Sequence, residues 1–106
     1  MRWYVRIEQR TNAKEENNEL FPETDPRAWS ILVDDVPAEI RTVTGGERIR
    51  GMTVEANVTT LVRIVFREDV TVLNRILHGS RILNIERATD VDGTRMYLTC
   101  QCREIA

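Results

Sequence analysis

The stretch Asp90-Val91-Asp92-Gly93 places two aspartates one residue apart ahead of a glycine, the opening spacing of a calcium-binding EF-hand loop. Such a loop also needs an acidic first position and a glutamate at the twelfth. With Gly93 as the sixth position these fall on Ala88 and Thr99, and no flanking helices are expected. The calcium reading therefore fails. Asp92-Gly93 between two amphipathic segments is instead a hairpin signal, since both residue types tolerate positive φ.

The other residues with chemical potential fare no better. His78-Gly79-Ser80 brings a base near a nucleophile, but residues this close in a tight turn cannot align for proton transfer. Gly45-Gly46-Glu47-Arg48 lacks the Gly-Lys-Ser/Thr ending of a phosphate loop. Cys100 and Cys102 are the only cysteines and His78 the only histidine, so a four-ligand metal site is not available. Cysteines two apart in a strand share a face but are poorly placed to bridge each other, so buried free thiols are expected. No nucleophile–base–orienter set emerges, and the chain reads as non-enzymatic, without cofactor or metal.

The elements that would carry these residues are strand-like. Trp3 to Arg10 alternates Trp3, Val5 and Ile7 with polar positions. Ala28 to Arg41 changes phase: Trp29, Ile31 and Val33 share one face, then Val36, Ala38 and Ile40 carry the apolar signal, so Asp34-Asp35 marks a bulge or bend. Pro37, lacking an N–H, belongs at an edge or at that bend. Val58 to Arg67 directs Val58, Thr60, Val62, Ile64 and Phe66 one way. Residues 68–77 read as a turn followed by a short strand, Arg75 to Leu77. A reversal at His78-Gly79-Ser80 then leads into Arg81 to Arg87. Thr94 to Arg103 puts Met96, Leu98, Cys100 and Cys102 on one face.

Two connections are long. Thr11 to Arg27 is polar, with Leu20 and Phe21 in its middle as an anchor or a contact. Thr42 to Asn57 holds three glycines and reads as a flexible loop or as an extended arm with little packing of its own. The fold class that follows is all-β: a small antiparallel barrel or sandwich of about six strands, in one domain over residues 1–106. Closure into a barrel would remove the exposed edges that make small sheets aggregate.

The formal charge of −2 does not suit a strongly basic nucleic-acid binder. Residues 1–40 hold 9 acids and 5 bases, and residues 41–106 hold 8 acids and 10 bases. Lys14 is the only lysine. Arg63, Arg67, Arg81, Arg87, Arg95 and Arg103 fall on strands and could serve an oligonucleotide platform, although Tyr97 is the main stacking aromatic available. Subunit contacts explain them at least as well. No apolar run reaches the ~20 residues of a membrane span, and a soluble, intracellular protein is expected.

From residue 57 on, "NVTTLVRIVFREDVTVLNRILHGSRILNIERATDVDGTRMYLTCQC" resembles the C-terminal half of the phage head–tail joining proteins, also called head closure or stopper proteins. The landmarks are an Arg-rich strand at Thr60 to Arg67, the reversal Leu77-His78-Gly79-Ser80-Arg81, the strand Ile82-Leu83-Asn84-Ile85-Glu86, an Asp-x-x-Gly hairpin and a closing strand ending in Cys. Upstream, Trp29 with Val33, Ala38-Glu39-Ile40 and Gly45-Gly46-Glu47 are similar to further landmarks of that family. Two departures stand out: Thr11 to Arg27 replaces a short Asp-x-x-Gly tip, and His78 and Ser80 stand where an aromatic and a glycine are common. The resemblance implies a virion protein, present in the bacterial cytoplasm before assembly. It would form a homo-oligomeric, dodecameric ring with portal and adaptor above, tail protein below and packaged DNA nearby.

Within that frame Gly45, Gly46, Glu47, Arg48, Ile49, Arg50 and Gly51 are expected to contact the channel or a neighbour. Glu19, Leu20, Phe21 and Pro22 are expected to contact adaptor or tail. Gly79, Asp92 and Gly93 are expected to make turns. A small nucleic-acid-binding barrel using the strand arginines is the alternative.

Overall fold

The computed structural model describes residues 2–49 and 51–105, so Arg50 lies outside the described residues. The strands are β1 (Trp3–Arg10), β2 (Trp29–Thr42), β3 (Arg48–Ile49), β4 (Met52–Thr53), β5 (Thr60–Val65), β6 (Arg75–His78), β7 (Arg81–Thr89) and β8 (Tyr97–Glu104), with a single 3-10 turn at Pro26–Ala28. Six of them close into an antiparallel barrel in the order β1-β2-β5-β8-β7-β6, while β3 and β4 form a separate two-stranded ribbon. Of the two expected architectures the barrel is the one found.

Period-two alternation fills the barrel. Val5 and Ile7 from β1, Val62 and Ile64 from β5, Ile76 from β6, Leu83 and Ile85 from β7, and Leu98, Cys100 and Cys102 from β8 meet in one buried cluster. Burial of such side chains, at about 1.5–3 kcal/mol each, is the main force that closes the sheet.

The phase change in β2 is a bulge. Val5 pairs with Val36 and Ile7 with Val33, so Asp34 and Asp35 together oppose Arg6. Asp35 adopts φ +52°, a left-handed value tolerated by aspartate, and its N–H is accepted by Asp34 Oδ1 at 2.9 Å. A second irregularity between Ile7 and Glu8 turns Ile31 outward, where it is 50% exposed. Ile31 therefore stays on the side of Trp29 but no longer shares a face with Val33 as its spacing suggested, and Leu32 and Val33 are the residues that pack on the core. Pro37 pairs with Tyr4 on the β1 side, and the β5 pairing begins only at Glu39, so the missing N–H falls where β2 has one neighbour.

The turn before β6 and the reversal after it follow the sequence reading. Gly79 has φ +61° in the two-residue link from His78 to Arg81, with its neighbour Ser80 at negative φ, as in a II′ hairpin. The Asp92-Gly93 hairpin differs from expectation. β7 does pair with β8, but the link runs from Asp90 to Met96, and the left-handed residues are Gly93 (φ +68°) and Arg95 (φ +58°), not Asp92. Asp90 organises this longer loop: its carbonyl accepts from Gly93 N–H at 3.2 Å and its Oδ2 from Arg95 N–H at 2.7 Å. β8 accordingly starts at Tyr97, and Met96 is 59% exposed, not part of the inner face.

Strand directions sort the connections to two ends of the barrel. Residues 11–28, 66–74 and 90–96 lie at one end, here the loop end. The arm at 43–59, the Gly79-Ser80 turn, and residues 2 and 105 lie at the other, the arm end.

Candidate assembly surfaces

The arm is not loosely packed. Val43, Val54, Val58 and Leu61 form a second buried cluster, with Ile49 and Met52 partly buried against it. Leu61 and Gln101 are cross-strand partners on the outward face of β5 and β8, yet they are 6% and 0% exposed. They are covered because the arm folds back across that wall. The Gln101 amide holds the arm by both ends: Oε1 accepts from Glu55 N–H at 2.8 Å, and Nε2 donates to the Thr53 carbonyl at 3.3 Å. Arg87 adds an ion pair to Glu55 at 3.1 Å.

The residues expected to form a free assembly loop divide accordingly. A Cβ at Gly45 would overlap the Ala56 carbonyl, so glycine is needed there for close approach of the two backbone runs. Gly46 N–H donates to the Val54 carbonyl at 2.8 Å, and Glu47 accepts from Thr44 N–H at 3.0 Å through Oε2. Gly45, Gly46 and Glu47 thus build the base of the arm. Arg48, Ile49 and Gly51 (φ +78°) form its tip.

The connection at 11–27 is pinned at fewer points. Phe21 is 8% exposed and lies under the Arg27 guanidinium, 4.1 Å from the ring centroid. Its carbonyl accepts from Arg10 Nη2 at 2.9 Å. Trp29 supports the same end: its Nε1 donates to the Glu23 carbonyl at 2.9 Å, and Arg75 stacks over it at 4.1 Å while gripping the buried Glu8 at 2.8 Å. Leu20, bridged to Lys14, is 52% exposed, and Glu19 and Pro22 are exposed beside it. Of the expected contact residues Phe21 is the anchor, and Glu19, Leu20 and Pro22 offer surface.

The six arginines singled out from sequence are each held by a carboxylate of the same chain. The pairs are Arg63–Glu39, Arg67–Asp69, Arg81–Glu104, Arg87–Glu55, Arg95–Glu68 and Arg103–Glu86. Arg67 and Arg95 lie in connections and not on strands. Arg6–Asp34, Arg10–Glu23, Arg27–Asp25, Arg41–Glu47 and Arg75–Glu8 complete the pairing. Guanidinium hydrogen bonds hold the Asp25, Asp34, Asp69 and Glu104 carboxyls below the usual carboxylate range.

Between the ribbon and the Asp90–Met96 loop, over the outer wall of β5 and β8, lies a groove of about 100 Å3. Leu61 and Tyr97 form its floor, Ile49 and Met52 one lip, Val91 and Asp92 the other. Arg63 crosses it, 4.0 Å from the Tyr97 ring centroid. Inside the barrel Cys100 and Cys102 are free and buried, as expected, and burial pushes the Cys100 thiol up to about 12. His78 sets its ring edgewise to Trp3 at 5.3 Å, and its buried Nδ1 has no hydrogen-bond partner. Among the described residues no helix is long and apolar enough to cross a membrane, and no group of His, Cys, Asp and Glu is arranged to hold a metal.

Gln101 and the groove were not foreseen from sequence. The available signal was Leu61, an apolar residue on the outward face of β5, but Val65 on the same face is also apolar and is 59% exposed, so spacing alone does not mark the covered part.

A search of curated proteins found no match. The family model described as phage head completion protein matches residues 1–105. With a closed β-barrel that carries a docked arm and two sets of exposed loops, the chain belongs to the phage head completion protein family and has a structural role in building the phage head.

Proposed function

We propose that the chain closes the DNA-filled head as one copy of a ring, with portal and adaptor above and tail protein below, acting as one domain without enzymatic chemistry. In this reading the protein waits in the host cytoplasm and joins the particle late. The arm tip, at Arg48, Ile49 and Gly51, meets a neighbour or the channel, and Glu19, Leu20 and Pro22 meet adaptor or tail. The observation that carries the reading over a nucleic-acid-binding barrel is the internal pairing of the arginines. A phosphate would have to displace a carboxylate from each of the strand guanidinia before gaining a contact.

The test is removal of the gene from a producing phage, followed by electron microscopy of the lysate. Emptied heads and unattached tails are expected, restored by supplying the chain in trans, and normal particle yield would overturn the proposal. Deleting residues 45–50 is a poorer test, because it takes away the Gly45 seat as well as the tip. Replacing Arg48 with Glu leaves the base intact. Binding of short duplex DNA across a salt series separates the second reading: little binding and a shallow slope are expected, whereas tight binding with a steep slope would favour the nucleic-acid barrel.

A further inference from the structure

The groove between ribbon and loop has chemistry that specifies an occupant. Leu61, Tyr97, Ile49, Met52 and Val91 give it apolar and aromatic surface. Of the charged residues that also line it, Glu39 pairs with Arg63, Arg41 with Glu47, and Asp90 accepts from Arg95 N–H, which leaves Asp92 on the rim with no hydrogen bond or ion pair among the described residues. It therefore suits a segment with an uncommitted cation beside aromatic side chains. Within this chain Arg2-Trp3-Tyr4 has that composition. Arg2 makes no ion pair among the described residues, and Trp3 and Tyr4 are 43% and 64% exposed. The other cations without an ion pair there, Lys14 and Arg48, sit among the glutamates of the 11–27 connection and in the ribbon itself.

The barrel order supplies the second argument. Around β1-β2-β5-β8-β7-β6, the seam between β5 and β8 is diametrically opposite the seam between β6 and β1. The groove overlies the first seam, and Trp3, set edge-on to His78 of β6, marks the second. A donor patch and an acceptor patch on opposite flanks of one body are what a ring of heterologous contacts requires.

We propose that the Arg2–Tyr4 edge of one copy seats in the Asp92-rimmed groove of the next. The inference rests on the ring reading above and names the contact between neighbours. The experiment introduces Tyr4→Cys and Asp92→Cys, singly and together, into particles assembled in the host, and bridges them with a short bismaleimide. Native Cys100 and Cys102 lie inside the barrel and do not compete. A ladder of chain multiples on a denaturing gel is expected from the double variant alone. Completed particles that contain the double variant but give only monomer would overturn the contact while leaving head completion standing. Absence of the unaltered chain from completed particles would overturn the ring reading, and the contact with it. Charge reversal is the second measurement. Arg2→Glu and Asp92→Arg should each lose particles and together recover them, and undiminished yield from both single variants would overturn the proposal.

Discussion

The two long connections began as the same kind of sequence, polar or glycine-bearing and without strong periodicity, and they ended as different kinds of structure. The arm at 43–59 has a hydrophobic cluster of its own and a buried amide that holds its backbone. The connection at 11–27 rests on Phe21, on a few hydrogen bonds and on exposed ion pairs. The difference is apolar residues: Val43, Ile49, Met52, Val54 and Val58 lie in or border the arm, while only Leu20 and Phe21 stand out in the other. Glycine content reported where the chain makes a close approach or a turn, at Gly45 and Gly51, and said little about mobility.

The comparison makes graded demands. Leu61→Ala removes the residue that joins barrel wall to arm, and a loss of about 2–4 kcal/mol in denaturant unfolding is expected, with the arm amides losing hydrogen-exchange protection first. A loss equal to that of an exposed alanine substitution would mean that the arm contributes no core. Gln101→Ala leaves Glu55 N–H and the Thr53 carbonyl without partners, at about 1–3 kcal/mol. Gln101→Glu sharpens the case, since a carboxylate can accept from Glu55 but cannot donate to Thr53 at neutral pH.

Phe21→Ala should lower global stability by less than about 1 kcal/mol, because the 11–27 connection can open locally without unfolding the barrel. Protease should nonetheless cut between Thr11 and Arg27 much faster in this variant. Global unfolding of the kind expected for Leu61→Ala would show the two regions to be alike after all.

The smallest effect concerns pH. Asp25, Asp34, Asp69 and Glu104 titrate below their ordinary range because arginines bind the ionised forms. Their contribution is present above the ordinary carboxylate range and is lost as pH falls through the depressed values. Since Asp34, Asp69 and Glu104 are exposed and Asp25 is only half-buried, melting measured from neutral pH into acid should fall gently and late, and the fall should shrink in high salt.

Much of the barrel was legible because strand alternation is a local signal. β1, β5, β6 and β7 follow their apolar spacing, and the Asp34-Asp35 phase change announced the bulge. What stayed hidden depends on pieces distant in sequence. Gln101 reads as one more outward polar residue until the arm is known to cross it, and Ile31 reads as core until a second register shift turns it away. Asp92-Gly93 suggested a two-residue turn, but Asp90 captures Arg95 N–H and enlarges the loop. For the candidate surfaces the same limit holds: the exposed 19–22 segment could be found by eye, whereas the groove exists only once ribbon, barrel wall and the Asp90–Met96 loop have come together.

Closure of the barrel has one more consequence. Beneath the groove β5 and β8 pair with each other and also with their outer neighbours β2 and β7, so over that part of the wall a second protein cannot add a strand and must be recognised through side chains. Identity of the partner and identity of the fold are then written in separate residues. The outer face can be recoded, one charge or one aromatic at a time, to fit a different neighbour while the same chassis keeps folding beneath it.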